Sequence, residues 1–121
     1  MQINDRDAAS LWDMAQAIRR ILEFTQNSSL KDYLNSIFMQ SAVERQFEIL
    51  GEAARRISLE FQQLHPEIDW SNIIGLRNVI AHRYEQVNQE NLWQIIEALL
   101  PDLLMHIEGL LPPLPEENSL Q

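Results

Sequence analysis

The feature that most constrains this chain is a row of apolar residues, Val43, Phe47, Leu50, Ala54, Ile57, Phe61 and Leu64, that alternates steps of four and three without a miss. Such spacing keeps one stripe of a helix apolar, and it is the seam expected of near-antiparallel helix packing. A half-buried strand needs period two, and no segment of useful length shows it. The flanking segments repeat the helical period. Ala8, Leu11, Ala15, Ile18 and Leu22 predict an amphipathic helix from Asp5 to about Gln26. Asp5 and Asp7 suit its positive end, and Asn27-Ser28-Ser29 punctuates its exit. The second helical region, which carries the row, runs from Ser29 or Leu30 to about Leu64, with a break expected near Asn35-Ser36. His65-Pro66 ends it, because the residue before proline is pushed out of helical space. Asp69 or Ser71 caps the next helix, and Trp70 is expected to anchor that loop in the core. Asn88-Gln89-Glu90 opens a last helix with the stripe Leu92, Ile96, Leu99, Leu103, Ile107 and Leu110, in which Pro101 predicts a kink or a restart. The expected fold is an all-α, up-and-down bundle of four or five helices over residues 1–111, with an extended, Pro-rich acidic tail over 112–121.

A chain of 121 residues is most simply one domain with a real core. It has no cysteine, which excludes disulfides and thiolate metal sites and fits a reducing compartment. No cationic flank precedes an apolar run at the N-terminus, and no apolar run approaches spanning length, so the expectation is a cytoplasmic protein without membrane contact. The formal charge of −9 opposes a generic nucleic-acid coat. Its distribution matters more. All nine basic residues lie at or before Tyr84, and eight of them are arginine, the residue suited to bidentate phosphate contacts, whereas seven acids and no base follow. A polyanion would therefore meet the first two thirds of the chain. Arg45 and Arg56 fall opposite the apolar row together with Glu48 and Glu52, with Arg55 alongside. They read first as a solvated face laced by pairs such as Glu52 with Arg56, and second as RNA or partner contacts.

The stretch from Gly75 to Tyr84 mixes an arginine, an amide, a histidine and a phenol into an otherwise apolar segment. At about 100° per residue, Ile73, Leu76 and Ile80 share one stripe, while Asn78 and His82 share the opposite side with Gly75, where another backbone can come close. Arg77 stands at the border, and five residues separate it from His82, about 140° around an ideal helix. Zincin and di-iron spacings, phosphate-cradling glycine loops and Ser or Cys nucleophile motifs are all missing from the sequence. No metal or cofactor is expected. What remains is acid/base work by His82 and phosphate clamping by Arg77, a pair suited to moving an RNA phosphodiester onto its own 2′-hydroxyl. One histidine does not serve comfortably as acid and base at once, and a two-fold dimer that presents two copies of His82 to one phosphate solves this. The plain alternative is a helix-end histidine that complements the dipole.

Arg77-x4-His82-x-Tyr84, with Asn78 after the arginine, resembles the signature of HEPN ribonuclease toxins of the HepT type. The segments Ala42–Arg56 and Trp70–Arg77 look like the family's second helical segment and its run into the active site, and the likeness extends from about residue 37 to residue 100. The resemblance implies a homodimeric HEPN bundle, a metal-independent ribonuclease and the toxin of a type VII-like toxin–antitoxin pair. It implies catalytic roles for Arg77 and His82 at a site composed across the dimer, a supporting role for Asn78, and attachment of AMP to Tyr84 by a minimal nucleotidyltransferase antitoxin. Arg83 departs from the family's pattern, which often has an acid there, so its contact to RNA or antitoxin is expected to differ. A subunit that only binds a nucleotide or a nucleotidyltransferase, without catalysis, is the alternative.

Overall fold

The computed structural model describes residues 3–82 and 87–112, the side chains of Val79, Ala81 and His82 excepted. The described residues form seven helical segments and no strand. They are α1 (Asp5–Phe24), α2 (Leu30–Leu34), α3 (Ile37–Arg56), α4 (Leu59–Leu64), α5 (Trp70–His82), α6 (Gln89–Ala98) and α7 (Leu100–Leu110). The all-α expectation holds, with two one-turn helices added to five longer ones. No described helix is long and apolar enough to cross a membrane.

Starts and stops follow side-chain capping. Asn4, Ser29, Ser36, Ser58 and Asn88 each accept a hydrogen bond from the backbone N–H three residues on, opening α1, α2, α3, α4 and α6. Asn27 turns the chain after α1 with a φ of 64°, a left-handed conformation that asparagine tolerates. The break expected at Asn35-Ser36 is present. The expectation of one helix from there to Leu64 fails at Ile57, which is extended with ψ 135° and precedes the cap Ser58. Asp7, buried in α1, accepts from both the Ser58 amide (2.8 Å) and its hydroxyl (2.7 Å), so a tertiary contact fixes the break. The apolar row consequently holds from Val43 to Ile57, with every member buried, and fails at Leu64, which is 50% exposed.

α3 packs between α1 and α5, and α7 covers α1, so Leu11, Met14, Ile18, Phe47, Leu50 and Ile107 share one core. Pro101 sits in the first turn of α7, the restart expected there and a position that tolerates its missing N–H. That restart shifts the stripe: Leu100 is 2% exposed, and Leu99, expected inside, is 60% exposed. Trp70 is buried as expected, its indole N–H donating to the His65 carbonyl at 3.0 Å. The buried Tyr33 hydroxyl donates to Gln89, whose amide donates to Glu44, tying α2 to α6 and α3. Burial pushes that phenol well above its ordinary range. The tail from residue 113, Arg83 and Tyr84 lie outside the described residues.

Candidate functional site

The site grows from a close crossing of α3 and α5. A glycine inside a helix costs stability relative to alanine, and one reason to keep it is a close neighbour. Gly51 has that neighbour: a Cβ there would overlap the Cβ of Arg77 and come within 3.1 Å of the Ile73 carbonyl oxygen. Gly75, expected to let another backbone come close, has open space around it within the chain. The crossing therefore belongs to Gly51 and sets the base of Arg77 directly on α3, one residue from Glu52.

Around that point the charged side chains interlock. Glu52 Oε2 lies 2.5 Å from Arg55 Nη2 and 3.8 Å from Arg56 Nη2, and its Oε1 lies 3.4 Å from Arg77 Nε. Arg77 Nη1 donates to Asn78 Oδ1 at 3.0 Å. Arg45 pairs with Glu48 at 3.5 Å. The hydrogen bond from Arg55, followed by the charges of the surrounding arginines, holds the Glu52 carboxyl below its ordinary range. The same bond raises the Arg55 guanidinium. Arg45, Arg55, Arg56 and Arg77 line one concavity of about 390 Å³ together with Asp13, Glu48 and Glu52. Four fixed positive charges against three carboxylates leave a surplus suited to an anion, and guanidinium geometry matches phosphate oxygens.

Of the residues singled out by sequence, Arg77 thus stands with Arg45, Arg55 and Arg56 in a single pocket, and Asn78 is exposed beside it with its carbonyl oxygen turned to Arg77. His82 closes α5; its side chain, Arg83 and Tyr84 are outside the described residues. Sequence reasoning assigns Glu52 first to a solvated pair with Arg56 and second to a phosphate-binding or partner face, and attaches no role to Gly51 or Asp13. The glycine amid strong helix formers is the available signal for a close approach. No cluster of three or more histidine or acidic residues with metal-binding geometry occurs among the described residues.

A second concavity, about 310 Å³ and mostly apolar, lies on another face of the same helix pair, lined by residues that include Leu50, Ile73, Leu76, Leu100, Leu103 and His106. Ile73 and Leu76 there continue the stripe to the buried Ile80, so the two faces of α5 separate as its periodicity requires.

Comparison with known proteins places the chain in one family. A protein of Thermococcus cleftensis named "Probable ribonuclease HepT" is 38% identical over 100 residues, covering 83% of this chain and 91% of the relative. One from Methanocaldococcus jannaschii named "Putative RNase MJ1380" is 31% identical over 100 residues, covering 83% of this chain and 92% of the relative. No solved structure matches the chain. The family model described as Ribonuclease HepT-like matches residues 14–110, a span holding every arginine of the pocket, and the chain belongs to the HepT-like ribonuclease family.

Proposed function

We propose that this chain is the toxin of a toxin–antitoxin pair, a metal-independent ribonuclease working in the cytoplasm. The observation that carries the reading is the gathering of Arg45, Arg55 and Arg56 into one pocket with Arg77, on the helix that bears the Arg-x4-His motif. In the proposed reaction the 2′-oxygen attacks phosphorus and the bond to the 5′-oxygen breaks. One His82 takes the 2′ proton, and His82 of a second copy protonates the departing oxygen. The products are a 2′,3′-cyclic phosphate and a 5′-hydroxyl. Arg77 stabilises charge growing on the phosphoryl oxygens. Asn78, hydrogen-bonded to Arg77, supports the site from the same helix.

Two features of the reading concern partners. A homodimer supplies the second His82, and Gly75, with open space around it, offers the second chain a close approach. A minimal nucleotidyltransferase attaches AMP to the phenol of Tyr84. The added phosphate places bulk and negative charge in the segment following α5, opposing RNA at the arginines. Arg83, next to Tyr84, is a further contact to RNA or antitoxin in this scheme.

The experiment is cleavage of single-stranded RNA in EDTA. Wild-type protein cuts it, and His82→Ala lowers the rate by about a hundredfold or more while sedimentation shows the dimer intact. Equal cleavage by the variant overturns the mechanism. RNA that is bound but left whole by the wild type favours the non-catalytic binding subunit instead. For Tyr84, incubation with the antitoxin and ATP adds the mass of AMP to the peptide containing it; modification elsewhere refutes the assignment.

A further inference from the structure

We propose that Glu52 is a positioning residue for Arg77 and, through the same carboxylate, a built-in competitor of RNA phosphate for the arginine pocket; this rests on the ribonuclease reading above. Helical periodicity alone explains contacts from Glu52 to Arg55 and Arg56, three and four residues along α3. It does not explain the contact to Arg77, which crosses to α5 and exists because Gly51 lets the two backbones approach. The ion pair at Nε and the hydrogen bond from Nη1 to Asn78 hold the Arg77 guanidinium from two sides, fixing the plane of a group that otherwise has many rotamers.

Exposure separates the two jobs. Glu52 and Arg77 form the sheltered end of the cluster, with 24% and 32% of their side chains exposed, whereas Arg55 and Arg56 form an open rim at 58% and 51%. One carboxylate thus occupies the place where three guanidinium groups converge, as a phosphate oxygen would. RNA entering the pocket takes the rim arginines away from Glu52, and Arg77 keeps its anchor. The carboxylate lowers affinity for any polyanion at the pocket in exchange for an arginine held ready for the reacting phosphate.

The test compares wild type, Glu52→Gln and Glu52→Asp on a 5′-labelled, mixed-sequence single-stranded RNA in EDTA, with binding measured on its uncleavable 2′-O-methyl analogue over a range of salt. Glu52→Gln is expected to lower kcat about ten- to a hundredfold while lowering KM. Its binding should depend more steeply on salt, the logarithmic slope growing by about 0.7 as one more RNA phosphate is neutralised by the released arginines. Glu52→Asp restores most of kcat and the wild-type slope. A purely structural role would instead lower the melting temperature without this opposition of kcat and KM, and that result overturns the proposal, as does unchanged kcat in Glu52→Gln. Should Glu52→Gln fail to fold, Glu52→Ala takes its place under the same criteria: lowered kcat together with lowered KM supports the proposal, and unchanged kcat refutes it. Failure of the wild type to cut RNA is seen before any variant is assayed and refutes the ribonuclease reading itself.

Discussion

On one face of the α3–α5 pair, Arg45, Arg55, Arg56 and Arg77 surround a polar pocket; on another, Leu50, Ile73, Leu76 and Leu100 line an apolar groove of similar size. The two share a scaffold and differ in what holds them. The groove is continuous with the core, so its residues contribute stability through area removed from water. The pocket's rim is held by ion pairs from the largely exposed Arg55 and Arg56 to Glu52, which contribute little to stability, so those two arginines are free to be arranged for a ligand. Where the two regions meet, at the Gly51 crossing, stability and site geometry become one problem.

Substitutions on the two faces should form a graded series. Leu100→Ala, at a position 2% exposed, should destabilise by about 2–5 kcal/mol in denaturant melts while the folded fraction keeps its RNA cleavage. Loss of specific activity in the folded fraction would show that the two faces are coupled. Gly51→Ala strikes the shared point: overlap with Arg77 should cost about 1–3 kcal/mol and also lower kcat by displacing that arginine. Gly75→Ala is its control, with open space around it; the single chain should gain up to about 1 kcal/mol from helix propensity, and a dimer that uses this glycine for close approach should weaken in sedimentation. The smallest effect concerns pH. Glu52 is held below its ordinary value of 4.5 in the folded chain, so its contribution to stability is present above that value and is lost as pH falls through the folded one. The melting-temperature difference between wild type and Glu52→Gln should therefore shrink as the solution is taken from about neutrality into acid below the folded value.

Much of the helical order is readable because capping and periodicity are local. Asn88, the break at Asn35-Ser36 and the restart at Pro101 each announce themselves within a few residues. The break at Ile57-Ser58 does not, since the apolar steps run through it unchanged and the deciding partner, Asp7, lies fifty-one residues away. Leu99 and Leu100 exchange places for a related reason: a restart resets the phase of a stripe, and counting through it misplaces the residues at the joint. For the site, Arg77, Asn78 and His82 are legible as a motif on one helix. The joining of Arg77 with Glu52, Arg55 and Arg56 is not, because two helices contribute to it and periodicity describes each helix separately.

What the sequence determined by itself is the all-α class, the segment carrying the motif and the family, since a period of 3.6 and a spaced set of polar residues are properties of one stretch of chain. Which glycine brings two helices together, and which carboxylate meets Arg77, only the tertiary structure decided. Those depend on the crossing point of α3 and α5, which is fixed by the packing of side chains from both helices at once.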